Sequence, residues 1–366
     1  RQDSLGNFSN ASACGNETAS ERPMMRKLIL ESVAYWAREY HIDGFRFDLM
    51  GIHDQETMRQ VAQRLHGIDS SIFVYGEGWT AGASPLPEEQ QALKKYTHHM
   101  PGVAAFSDDI RDAIKGHVFT FDQPGFVSGQ EGLKESIKFG VVASTPHPQV
   151  NYGAVNYSDT AWATAPAQAI TYASCHDNHT LWDRLQLSRP DAPEAQREEM
   201  HRLALAIVLT AQGVPFLHAG TEFLRTKDGE ENSFESPDTI NQLDWIRKTR
   251  YRETVNYVRG LIALRKKHPA FRMKTARALQ QHLSFLEHDH PLLVAYRLSE
   301  HANADSWADI VVIYNGSDDR QRVIVEAKDW QQVVDGMRVD TTGLQSTSGR
   351  VLTVAPRSAA IWVSPD

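Results

Sequence analysis

Three acidic residues close short apolar runs in this 366-residue chain: Asp48 after GFRF, Glu77 between two glycines in VYGEGW, and Asp177 in SCHDNHTLWD. Carboxylates gathered at strand ends can divide acid, base and nucleophilic work between them. Each taken alone also fits a structural ion pair or a cap. Arg46 stands two residues before Asp48, on the same side of an extended strand, where it can pair with the carboxylate and keep it ionised. Without such a partner two charges facing a protein interior are costly. His176 and His179 share an HxxH spacing, but zinc needs further ligands at suitable spacing and none stands out, so no metal ligand is assigned.

The elements that must hold these residues follow from periodicity. In IDGFRFDLMG, Phe45, Phe47 and Leu49 share one face of a strand and Gly44, Arg46, Asp48 and Met50 the other, with Gly51 the expected stop. Upstream, Thr18 and Glu21 have the spacing of a capping box. They open a helix on which Met25, Leu28, Ile29, Val33, Trp36 and Tyr40 recur at helical intervals. A helix is expected near 54–66, strands at 71–77, 103–109, 170–177 and 214–220, and a helix at 201–212. Apolar strands alternating with helices predict an α/β fold with a parallel sheet covered on both faces. In such barrels the strand C-termini carry the chemistry. After about residue 268 the pattern switches to period two with turn residues between, which predicts a small all-β domain.

Composition narrows the partners. The chain is 41% hydrophobic and 23% charged with a formal net charge of -8, so no basic stripe offers phosphate neutralisation and nucleic acid is excluded as a partner. No apolar run approaches the roughly 18 residues of a membrane helix, and no membrane partner is expected. Cys14 and Cys175 are too few and too far apart in sequence for a disulfide framework. The chain opens without an initiator Met or a signal-like segment, which reads as a processed, truncated or split product and leaves a bacterial extracellular or cytoplasmic location open.

Taken jointly, GFRFDLMG, YGEGW and HDNHTLWD, in that order, resemble the conserved strand-end regions of the α-amylase superfamily, glycoside hydrolase family 13. The resemblance is to type I pullulanases and runs over essentially all 366 residues, including GTEFLRTKDGEENSFESPDTINQLDW at 220–245. It implies a retaining glycoside hydrolase cleaving α-1,6 branch linkages within pullulan, amylopectin or glycogen-derived dextrins. Asp48 would be the nucleophile, oriented by Arg46. Glu77 would be the general acid and then the base. Asp177 would stabilise the charge developing at the anomeric carbon, with His176 in the same subsite. Retention implies carboxyls about 5–5.5 Å apart. Trp79 would be a stacking platform for the sugar; Leu49 and Asn178 would contact substrate. Asp238 occupies the place of a substrate-binding aspartate, while Gln242 stands where some relatives carry Arg. No cofactor is required for the chemistry. Structural calcium is compatible with the resemblance, but no ligand set is assigned.

The same resemblance sets the architecture: residues 1–268 as the C-terminal portion of a (β/α)8 TIM-type barrel, about strands 4–8, and 269–366 as a β-sandwich domain. The barrel would lack its first three strands, and five parallel strands alone leave two open edges. An N-terminal polypeptide or domain completing the barrel is therefore the expected partner, beside an α-glucan substrate. Isoamylase, neopullulanase or α-amylase activity is the alternative within the enzyme class, and a non-catalytic α-glucan-binding chain is the alternative outside it.

Overall fold

The computed structural model describes residues 1–365. The chain first alternates helices and short strands: α1 (Pro23–Tyr40), β1 (Gly44–Phe47), α2 (Gln55–His66), β2 (Phe73–Gly76), β3 (Val103–Phe106), α3 (Asp108–Lys115), α4 (Lys134–Val141) and β4 (Ala169–Thr171). It continues with α5 (Leu181–Ser188), α6 (Glu194–Thr210) and β5 (Val214–Pro215). The five strands form one parallel sheet in sequence order, β1 to β5, curled into half a barrel.

Register decides what the curl encloses. Gly44 is level with Phe73, Arg46 with Tyr75, Tyr75 with Ala104, and Phe106 with Ile170, which is level with Val214. These residues share the concave face, where Phe73, Tyr75, Ala104, Phe106, Ile170, Tyr172 and Phe216 make an aromatic-rich cluster. The alternate residues, among them Val74, Val103, Ala105 and Ala169, point outward into the main core under the helices. Arg46 is thus the charged residue of an otherwise apolar and aromatic concave face.

The two edges of this sheet are unlike its centre. All four residues of β1 are only half-buried, whereas β3 and β4 are buried throughout. Beside β1, α1 buries Val33, Ala34 and Ala37 but leaves Leu28 61%, Trp36 44% and Tyr40 56% exposed. Its apolar stripe is therefore wider than the surface it covers. At the other edge, β5 borders an apolar hollow of about 740 Å³ between Val214, Pro215, Leu217, Ile262 and Met273.

After β5 come α7 (Asp238–Asn241), α8 (Ile246–Arg250), α9 (Arg252–Lys267) and α10 (Ala276–His282). Then follow β6 (Leu283–Leu286), β7 (Leu293–Leu298), β8 (Asp309–Asn315), β9 (Gln321–Val334), β10 (Gln345–Val354) and β11 (Ser358–Ser364). These six form one antiparallel sheet in the order β10-β9-β11-β8-β7-β6. One face joins the main core: Tyr296 donates through its hydroxyl to the Thr210 carbonyl of α6 at 2.9 Å, and Arg202 Nε to the Gly336 carbonyl at 3.1 Å. On the other face Trp330, Val323, Leu352 and Val354 close over Leu293, Val311, Ile313 and Trp362. The resemblance implies a β-sandwich over 269–366; instead one sheet supplies both walls. The 14-residue β9 pairs with β10 along its length and with β11 only near its C-terminal end, so the hairpin can curl back over its own sheet.

Two local expectations are corrected. Thr18 and Glu21 do not cap α1, whose first residue is Pro23 with Arg22 before it and no side-chain cap. Glu21 instead takes the Arg1 guanidinium at 2.9 Å. Proline at the first helical position has no N–H to satisfy, and its fixed φ suits the first turn. The first strand ends at Phe47, not Gly51, because Leu49 adopts a left-handed φ of 39° and starts a short helical turn. Among the described residues no helix is long and apolar enough to cross a membrane.

Candidate active site

Phe47 is level with Gly76, so Asp48 and Glu77, one residue further along each chain, leave the sheet at the same height. The ladder runs one step beyond the strands, with Glu77 N donating to the Phe47 carbonyl at 3.1 Å and Gly51 N to the Glu77 carbonyl at 3.0 Å. Parallel pairing alone thus brings together two carboxylates separated by a whole βα unit.

Arg46 lies between them. Its Nη1 donates to Asp48 Oδ1, as the strand alternation predicts, and its Nη2 donates to Glu77 Oε1 at 2.6 Å. The second bond, across strands, could not be read from local sequence. The left-handed turn at Leu49 aims its N–H at the other oxygen, Glu77 Oε2, at 2.7 Å. Backbone strain at Leu49 thus has a visible use, since it supplies a donor to a buried carboxylate.

The two acids sit in opposite environments. The Asp48 side chain is 73% exposed and that of Glu77 6%. Burial pushes the Glu77 carboxyl above its ordinary value; the Leu49 N–H and Arg46 pull against that, and the nearby Asp48 and Asp177 charges reinforce it. A carboxyl with raised proton affinity beside an exposed carboxylate is the pattern of paired acids in two different roles.

A cavity of about 630 Å³ opens along this edge, lined by Leu49, Glu77, Trp79, Tyr172, Asp177 and Asn178 among others. Trp79 is half-buried with its ring face 5.9 Å from the Arg111 guanidinium, so it walls the cavity as well as packing on the concave cluster. Asp177 follows β4 on the bend that leads into α5, and His176 Nε2 lies 3.3 Å from its Oδ1. His176 is held above its ordinary value, first by a hydrogen bond with the Cys175 side chain and then, against some desolvation, by the Asp177 charge. Asn178 takes a left-handed φ of 59°.

Not every expected residue reaches the cavity wall. Asp48 and His176 stand exposed beside it, tied in through Arg46 and Asp177. Asp238 begins α7, is exposed and lies outside the lining. His179 does not join His176 as a zinc pair; its ring packs edge-on to Phe121 at 4.7 Å. Among the described residues, the group able to hold a metal is Cys175, His176 and Asp177.

Sequence reasoning missed Asp108 and Arg111, both in the lining. Lys94 bonds Asp108 and, at 2.8 Å, Asp109; Arg111 donates to the Tyr172 hydroxyl at 2.9 Å and to Asp112 at 2.6 Å. The signal was available: FSDDIRD follows β3 as GFRFD contains β1, and the same strand-end argument applies. Glu231 and Asn232, from the long loop after β5, carried no comparable signal.

Comparison with known proteins gives this geometry its family. Residues 279–338 match the model of the pullulanase all-beta domain. The pullulanase of Bacillus subtilis (strain 168) is 42% identical over 322 residues, covering 87% of this chain and 43% of that protein. The structure of the pullulanase from Bacillus acidopullulyticus covers the whole chain at a TM-score of 0.92 and 40% identity, over 43% of its own length. That from Paenibacillus barengoltzii, in complex with maltohexaose and α-cyclodextrin, covers it at 0.91 and 44%, over 55% of its length. The chain spans less than half of the curated relative, and about half of these structures. With sequence likeness, all-β domain and superposed fold in agreement, the chain belongs to the type I pullulanases of the α-amylase superfamily, as the C-terminal part of their catalytic region.

Proposed function

We propose that this chain carries the catalytic acids of an α-glucan debranching hydrolase that cuts α-1,6 linkages within branched chains and retains anomeric configuration. The observation that carries the reading is the single guanidinium of Arg46 bonded to both an exposed carboxylate, Asp48, and a buried one, Glu77, at the edge of a sugar-sized cavity. In this reading Arg46 pairs with Asp48 and aims it as the nucleophile. Glu77 holds its proton long enough to deliver it to the leaving glycosidic oxygen, then takes one from water. Asp177, with His176 beside it, faces the developing positive charge at the anomeric carbon. Trp79 supplies a flat apolar face for a sugar ring, and Leu49 and Asn178 shape the wall around it. A purely binding cleft would have no use for the raised proton affinity of Glu77.

The five parallel strands are read as strands 4–8 of an eight-stranded barrel in residues 1–268, with 269–366 as the flanking β domain. Three further βα units, in the same polypeptide or a second one, would pair with the open edges at β1 and β5 and cover Leu28, Trp36 and Tyr40. The relatives solved with maltohexaose, maltose and maltotriose fit an α-glucan substrate. No residue set is assigned to calcium.

The test is pullulan hydrolysis by the chain alone, by the protein with its upstream segment restored, and by that protein carrying Asp48→Asn. Maltotriose released by the restored protein and abolished by the substitution is the expected result. Panose, or no hydrolysis by a folded restored protein, overturns the reading. Proton NMR of the first product formed should show retained α configuration at the new reducing end.

A further inference from the structure

Three consecutive side chains converge beside the cavity. The donor atoms of Cys175, His176 and Asp177 all lie within 4.8 Å of one another. In a strand consecutive side chains alternate between faces and three in a row cannot meet. Here β4 has ended at Thr171, and the chain bends through residues 176–178, with Asn178 in a left-handed conformation. The bend turns sulfur, imidazole nitrogen and carboxylate oxygen toward one point.

That donor set has a chemical preference. Thiolate and imidazole suit zinc and its borderline-soft neighbours, while calcium and magnesium want oxygen alone. We propose that Cys175, His176 and Asp177 form a binding site for a borderline-soft divalent cation such as Zn²⁺, and that a bound cation closes the sugar-binding end of the cleft. The second half rests on the function proposed above, because it takes Asp177 and His176 to be sugar-facing groups.

The geometry is close to that of a three-ligand zinc site with an open fourth position. His176 Nε2 and Asp177 Oδ1 are 3.3 Å apart. Two ligands about 2.0–2.2 Å from one tetrahedral ion sit at nearly that separation. Cys175 Sγ contacts the Asp177 carbonyl at 3.9 Å and hydrogen-bonds the His176 ring, weak thiol interactions that a metal bond shared by the two side chains would replace. The His176 and Asp177 side chains are 63% and 55% exposed, so they can move the remaining distance without disturbing the core. Of the nearby cations, Arg46 is paired with the carboxylates of Asp48 and Glu77, while Lys227 is held in place by the Glu231 carbonyl at 3.1 Å and the His176 carbonyl at 3.5 Å. The fourth position would open on the cavity, where water or a sugar hydroxyl can fill it.

Titration with Co²⁺, followed by displacement with Zn²⁺, tests the site directly in the protein with its upstream segment. One equivalent of Co²⁺ should produce a thiolate-to-metal charge-transfer absorption that Zn²⁺ removes. Cys175→Ser should abolish that absorption and weaken Zn²⁺ binding roughly tenfold or more, with His176→Gln weakening it independently. Cys14→Ser should leave the absorption intact. Absence of the absorption, or its survival in Cys175→Ser, overturns the site. In pullulan hydrolysis, Zn²⁺ should inhibit the wild type, and the inhibition constant, referred to each protein's own uninhibited rate, should rise at least about tenfold in Cys175→Ser. Binding without inhibition of a hydrolysing enzyme overturns the blocking role. A charge-transfer band in a protein that hydrolyses no pullulan leaves the metal site standing and removes the debranching reading instead.

Discussion

The two sheets of this protein finish their burial to different degrees. In the antiparallel sheet the central strands β8 and β11 are buried at every residue, and Trp330 and Trp362 seal its outer face. In the parallel sheet β1 is half-exposed along its length, β5 is two residues long, and the helix beside β1 shows Leu28, Trp36 and Tyr40 to solvent. An antiparallel sheet can close with its own hairpins, as the curled β9–β10 pair does. A parallel sheet needs crossover units on both edges, and a barrel strand without its neighbour leaves unpaired N–H and C=O groups. Of the catalytic candidates, Asp48 leaves the half-exposed edge strand β1, which explains why it is exposed while Glu77, one strand inward, is buried.

The contrast can be broken most severely at the carboxylates. In the restored protein, Asp48→Asn or Glu77→Gln should each lower kcat by roughly 10³-fold or more with the fold intact, measured on pullulan with circular dichroism as control. A loss under tenfold would mean that the strand-end acids are structural.

Stability should separate the two sheets next. Trp330→Ala, in the closed sheet, should cost about 3–5 kcal/mol by urea unfolding whether or not the upstream segment is present. Trp36→Ala should cost less than about 0.5 kcal/mol in this chain alone and about 2–3 kcal/mol once the upstream segment covers α1. Equal costs in both contexts would show that nothing docks on that face.

A smaller effect concerns pH. Because the Glu77 value is raised in the folded protein, the folded state holds its proton more tightly than the unfolded chain. The stability contributed by Glu77 is then fully present below the ordinary value of 4.5 and lost as pH rises through the folded value. Relative to Glu77→Gln, the wild type should become progressively less stable toward neutral pH in denaturant titrations. In an Arg46→Gln variant, which removes a charge that lowers the Glu77 value, the ¹³C NMR titration of the Glu77 carboxyl should move to higher pH. A shift to lower pH would contradict the bridge.

The smallest effect is expected at Asp238. Exposed and outside the cavity lining, Asp238→Ala should change kcat/KM on pullulan by less than about threefold. A tenfold rise in KM would show that the loop carrying it reaches the substrate in the complete enzyme.

Sequence by itself determined the order of strands and helices, because hydrophobic periodicity is local, and it placed Asp48 and Glu77 at strand ends; the strand expected to run to Asp177 stops at Thr171. It also paired Arg46 with Asp48, since two residues on one strand share a face whatever the surroundings. Only the tertiary structure decided that Arg46 reaches Glu77, because that bond crosses between strands whose register depends on the packing of the whole sheet. The single curled sheet in place of two depends likewise on long-range pairing of β9 with both β10 and β11. The convergence of Cys175, His176 and Asp177 was invisible as well: three adjacent residues read as a strand continuing past Thr171 until the chain is seen to bend. Chain neighbours fix which groups are present, whereas burial and register, set by segments far apart in sequence, fix which of them meet and which hold a proton.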